Sequence, residues 1–173
     1  KKFKDIIAFT TDLLDNKLQR KIAYVKHKAK NSFIKIRPIN LKHFREEIFS
    51  FARIYNETFK NHWGYVPQSE EEIYEMLEPF RMAAEKEFIL FAEDKGKIIG
   101  FVLCTPDYNF IIKNLNGDFS AFKVFDFFRF KKRIRKARLI AIGVLGDYRG
   151  QHVAPLLIAN AYDAMIKKGY TTV

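Results

Sequence analysis

One junction in the chain constrains its fold more than any other feature. Arg138-Leu139-Ile140-Ala141-Ile142-Gly143-Val144 is an apolar run behind a single cation, and it leads through Leu145-Gly146-Asp147-Tyr148-Arg149-Gly150-Gln151-His152 into an apolar-rich stretch from Val153 to Lys168. The first segment has the length and content of a buried strand. The second is long enough for a helix, and Gly169 supplies its stop. Pro155 fits the first helical turn, where a missing N–H costs nothing and the fixed φ is already helical. A strand, a turn of small residues and a helix start gather several backbone N–H groups and a positive dipole end around one point, which is the construction of an anion site. It is neither a Walker A loop, since no Gly-Lys-Ser/Thr follows, nor the Gly-x-Gly-x-x-Gly of dinucleotide folds.

The rest of the chain can support a folded domain around that junction. It has 173 residues, 48% of them hydrophobic, including 18 Phe, which excludes a disordered or low-complexity protein. Its one cysteine, Cys104, makes no intrachain disulfide and no thiolate cluster, and points to a reducing compartment. No run approaches the roughly 18 apolar residues of a membrane span, so a cytoplasmic protein is expected, at most peripheral to the inner membrane surface. The first residue is not Met and Tyr170-Thr171-Thr172-Val173 reads as a strand beginning, so a chain truncated after the start of a fifth strand is expected. Such an edge would invite a second copy of the chain, a homodimer. Charge is segregated: residues 1 to 37 carry 11 Lys/Arg against 3 Asp/Glu, residues 38 to 118 carry 9 against 14, and residues 119 to 173 carry 11 against 3. That distribution admits nucleic acid, an anionic membrane surface or an anionic cofactor.

Periodicity gives the remaining elements. Leu14, Leu18, Ile22 and Val25 recur at helical spacing among cations, so residues 1–31 read as a basic amphipathic helical extension on a domain spanning 32–173. Phe33 to Pro38 reads as a first strand, and Asn40 caps a helix running to about Phe59. Asn61 to Pro67 is a loop, Ser69 and Glu72 have capping-box spacing, and Pro79 ends the second helix. Phe88–Ala92 and Ile98–Cys104 flank a Gly-bearing turn as a hairpin. Residues 107 to 136 form a long connection containing helix.

The residues Tyr148-Arg149-Gly150-Gln151-His152-Val153-Ala154 resemble the pyrophosphate loop of the GNAT superfamily of acyl-CoA-dependent N-acyltransferases, Arg/Gln-x-x-Gly-x-Gly/Ala. Arg149 matches its first position and Ala154 its last; His152 stands where the family has Gly. The resemblance covers about residues 32 to 173. It implies an α/β (α+β) fold with a central mixed, mostly antiparallel sheet flanked by helices. It also implies that Arg149, Gly150, Gln151, His152, Val153 and Ala154 hold the pyrophosphate of acetyl-CoA or a longer acyl-CoA, with the strand-end residues Val144 and Leu145 beside the pantetheine arm. The activity implied is acyl transfer from CoA to a primary amine. Many relatives use a strand carboxylate as base and a later Tyr as acid. Arg138 to Val144 holds no carboxylate, so Glu93 and Asp107 are only weak candidates and the acid is unassigned.

Trp63 and Tyr65, beside His62, lie in the connection that borders the acceptor site in the resembling fold, although loop packing explains them equally well. No second His stands at ligand spacing from His152, so no metal is expected. Six Phe fall between Phe119 and Phe130, next to six cations between Lys131 and Arg138. This stretch either packs on the protein's own sheet or lies on an anionic membrane, which would suit an amphiphilic or lipid amine acceptor. Nucleic acid is disfavoured, as no matching motif accompanies the cations. The rival to an enzyme is a non-catalytic module of the same fold that binds anionic membrane or nucleic acid.

Overall fold

The computed structural model describes residues 8–29, 32–115, 127 and 129–173. Its centre is a four-stranded antiparallel sheet in the order β1-β2-β3-β4, with β1 at Lys35–Pro38, β2 at Ile89–Asp94, β3 at Lys97–Pro106 and β4 at Ala137–Val144. Helices α2 (Phe44–Phe59) and α3 (Glu70–Leu77) cover one face, and α5 (Val153–Lys167) covers the other. Helix α1 (Asn16–Lys28) packs on α5, and α4 (Asn109–Leu115) follows β3.

Local chemistry sets these boundaries. Asp15 accepts hydrogen bonds from the amides of Lys17 and Leu18 and starts α1 at Asn16, two residues after Leu14 opens the apolar periodicity. Asn40 caps a short 3-10 turn, Leu41–His43, that leads into α2. At α3 the capping box is complete, with the Ser69 hydroxyl taking the Glu72 amide and the Glu72 carboxylate taking the Ser69 amide. Lys95 and Gly96 form the β2–β3 turn with φ of 48° and 81°. Gly169, at φ 81°, ends α5.

Two apolar clusters fill the layers. On one face, Phe44, Ile48, Phe51 and Ala52 of α2 meet Ile73, Phe91 and Phe101. On the other, Val153, Leu157, Ala161 and Met165 of α5 meet Leu90, Ile99 and Val102. Leu13, fully buried, belongs to the second cluster, so the N-terminal segment contributes to the same core as α5. Cys104 lies there too, and burial pushes its thiol up to about 12. It is a packed core residue.

Strand β4 differs from its sequence reading. It is expected to be buried, yet Arg138 and Ile140 are exposed, because β4 borders the four-stranded sheet and only its first residues meet a further strand. Thr172 bridges in parallel to Lys136, and the Ala137 amide donates to the Thr172 carbonyl at 2.8 Å. The other side of Thr172 also differs from expectation. Thr11 and Val173 exchange hydrogen bonds of 2.7 and 3.0 Å, so residues 11–13 line the edge predicted to be open.

The aromatic stretch at 119–126 and Phe128 lies outside the described residues. In the remainder, Phe127 packs against Tyr108 at 5.4 Å, Ile134 and Ala137 are buried, and Lys131 pairs with Glu85 at 2.8 Å.

At Gly143, β4 and α2 approach closely. A Cβ there would lie 2.6 Å from both the Phe101 ring and Thr58 Oγ1. Gly143→Ala is therefore expected to cost roughly 1–3 kcal/mol by overpacking. Urea denaturation checks this, and an unchanged midpoint would contradict it.

Candidate functional site

The loop between β4 and α5 is held from both sides. Leu145 donates its amide to Ile99 on β3 at 2.9 Å. The Tyr148 hydroxyl donates to Asp94 Oδ2 at 3.0 Å, fixing the loop to the β2–β3 turn; that bond raises the phenol pKa. Within the loop, the Arg149 amide donates to Gly146, the Gln151 amide to Tyr148, and the Gln151 side chain to the Asp147 carbonyl. Gly150 has φ 80° and His152 φ 60°, ψ 14°, both left-handed. The imidazole makes no capping bond.

This conformation leaves a cluster of donors. The amides of Gly150, His152, Val153 and Ala154 have no acceptor among the described residues. They lie at the positive end of a 15-residue helix. Arg149 is exposed beside them, and its Nε reaches the Val144 carbonyl at 3.4 Å. The unused amides and one cation form an anion cradle.

The cradle adjoins a stretch of unpaired strand. Because Leu145 turns its amide inward to β3, the alternation of a strand turns the amide and carbonyl of Val144 and Ile142 outward. The pairing of β3 with β4 skips Ile140, since Leu103 faces Ala141 and Cys104 faces Leu139. Ile140 is therefore the extra residue of a β-bulge. From Leu139 to Val144 the outer edge of β4 has no strand partner among the described residues. The end of α2 flanks this strand at Gly143, where Thr58 makes its close approach.

The protein-family model described as Acetyltransferase (GNAT) family matches residues 48–173. The chain belongs to the GNAT acetyltransferase family. Among curated proteins it is similar to Protein YghO of Escherichia coli (strain K12), 28% identical over 76% of this chain and 34% of that protein. It is also similar to the Bacterial ceramide synthase of Caulobacter vibrioides (strain NA1000 / CB15N), 23% identical over 80% of this chain and 38% of that protein. The chain thus spans about a third of the length of these relatives. In fold it resembles the GCN5-related N-acetyltransferase from Sphaerobacter thermophilus, with a TM-score of 0.56 and 17% identity over 82% of this chain and 35% of that one.

In this GNAT domain the sequence-predicted loop residues Arg149 to Ala154 and the strand-end residues Val144 and Leu145 come together at one end of β4. Gln151 differs from its neighbours, because its amide is already bonded to Tyr148 at 3.3 Å. The carboxylate candidates are not brought there. Glu93 lies on β2, beyond β3 from β4, and its carboxylate takes Arg37 Nε at 2.7 Å. Asp107 sits past the other end of β3, accepting from the Asn109 amide and pairing with Arg138 at 3.3 Å. Trp63 is exposed in the loop after α2, where the His62 Nδ1 donates to its carbonyl at 3.0 Å. The Tyr65 hydroxyl donates to Asn56 Oδ1, its ring meets Tyr55 at 6.0 Å, and burial raises its pKa. The described residues hold no group of side chains suited to a metal and no helix long and apolar enough to cross a membrane.

Sequence reasoning did not find Asp94, which lies 54 residues before the tyrosine it holds, or the bulge at Ile140. The left-handed His152 gives a direct test. Glycine there should leave stability unchanged or raise it by up to about 1 kcal/mol. His152→Val should lower it by about 1–2 kcal/mol, since a β-branched residue tolerates positive φ poorly. Urea titrations in which valine and glycine behave alike would contradict the loop geometry.

Proposed function

We propose that this domain binds an acyl-CoA and transfers its acyl group, acetyl or longer, to a primary amine. The observation that carries this reading is the cradle of four amides and Arg149, at the end of a strand whose outer edge, like those amides, has no partner among the described residues. The diphosphate of CoA carries the charge such a cradle suits. The outward amide and carbonyl of Ile142 and the outward amide of Val144, whose carbonyl takes Arg149 Nε, offer the amide-bearing pantetheine arm a strand to pair with.

The chemistry then needs little from the protein. A neutral amine nitrogen attacks the thioester carbonyl carbon, the C–N bond forms, and the C–S bond breaks. The proton released by the nitrogen ends on the departing thiolate. The domain contributes position, with the thioester held along β4 and the amine admitted from the side of Trp63 and Tyr65. Glu93 and Asp107 are engaged in ion pairs, so neither is assigned as base. An amphiphilic amine is consistent with the match to a ceramide synthase.

One observation favours the rival reading of a non-catalytic binding module: β4 itself carries no carboxylate, and Glu93 and Asp107 are held in ion pairs. CoA binding without turnover across a panel of amines would support that module.

Calorimetric titration with CoA tests the cradle. Arg149→Ala should weaken binding by about 2 kcal/mol, about thirtyfold, as expected for a charge-assisted hydrogen bond. No binding by a folded protein, or equal binding by the variant, would overturn the assignment of this loop.

A further inference from the structure

A second feature lies upstream on the same strand. A cavity of about 270 Å³ opens between the α2 face of the sheet and the segment after α3. Its wall includes Ile48 and Phe51 of α2, Ala83 and Ala84 before β2, Leu103 of β3 and Ile140 of β4. The charged residues in the wall are engaged elsewhere. Arg81 donates to the Leu41 carbonyl at 2.6 Å and stacks on Phe44, while Glu85 is paired with Lys131 and Lys168 at 2.8 and 2.5 Å. The surface left to an occupant is hydrocarbon.

Its position decides what that occupant is. Ile140 and Phe80, 54% and 62% exposed, mark where the cavity meets solvent. Ile140 is the bulged residue, and the bulge brings its side chain to the wall on the α2 side. It lies four residues before Val144, about 13 Å along the strand. An extended pantetheine arm anchored at the loop covers that distance and delivers its thioester beside the cavity. An ammonium or hydroxyl would lose its hydration here without a polar partner. An alkyl chain loses nothing.

We infer that this cavity is an acyl-chain pocket, and that the donor is a medium- or long-chain acyl-CoA rather than acetyl-CoA. This rests on the acyl-CoA reading of the loop. At about 270 Å³ the cavity has room for an alkyl chain of several methylenes.

The test is a calorimetric series with CoA, acetyl-CoA, butyryl-CoA, octanoyl-CoA and decanoyl-CoA, all below their micelle thresholds. Each buried methylene should tighten binding by up to about fourfold, so decanoyl-CoA should bind at least a hundredfold more tightly than acetyl-CoA. Ala84→Phe fills the cavity and should abolish that rise while CoA and acetyl-CoA bind as before. Ile140→Asp, at an exposed position, puts a charge at the mouth and should also flatten the rise, which keeps the test intact if Ala84→Phe does not fold. Equal affinity for all chain lengths with CoA still bound would overturn the pocket and leave the loop assignment standing. So would an undiminished rise in either folded variant. Failure to bind CoA at all would overturn both.

Discussion

The antiparallel pairing of β3 with β4, broken at one residue, governs what each part of β4 can do. Downstream of the bulge, Leu145 is fastened to Ile99, so Val144 and Ile142 present their backbone groups outward. At the bulge, Ile140 has no partner on β3 and lines the apolar cavity beneath α2. Upstream, Ala137 turns its amide to the Thr172 carbonyl, while Thr171 and Thr172 donate to Arg135. From Leu139 to Val144 the described residues supply no strand partner on the outer side of β4.

Close packing holds this arrangement. Gly100, opposite Val144, and Gly143, opposite Phe101, leave room for no Cβ in the β3–β4 ladder: one added at Gly100 would lie 2.8 Å from the Gly143 carbonyl. Buried Val153 and Leu157 seat the start of α5 on the opposite face. The helix that supplies the loop amides is therefore fixed by core packing, and the Tyr148–Asp94 bond fixes the loop to the neighbouring hairpin. Preorganised amides cost an incoming diphosphate little reorganisation.

Much of this was legible in the chain because local chemistry writes it. The Ser69–Glu72 box, the Gly96 turn, the Gly169 stop and the β4-loop-α5 junction each depend on residues a few positions apart. What was not legible depends on distant partners. Nothing in Leu139-Ile140-Ala141-Ile142, all apolar, marks which residue will be skipped by β3. The exposure of Arg138 and Ile140 follows from where β4 sits in the sheet, and the pairing of Thr11 with Val173 joins opposite ends of the chain. Glu93 and Asp107 were weak candidates by position alone, and their ion pairs with Arg37 and Arg138 are tertiary facts.

The central claim is that the unpartnered amides of the loop and the outer edge of β4 form one continuous site. Amide chemical-shift mapping during a CoA titration tests it most directly. The account predicts the largest changes at Gly150, His152, Val153 and Ala154 and, along the strand, at Ile142 and Val144, with Gln151, Gly143 and Leu145 shifting less because their amides are already engaged. Changes centred elsewhere, or confined to exposed lysines, would contradict it.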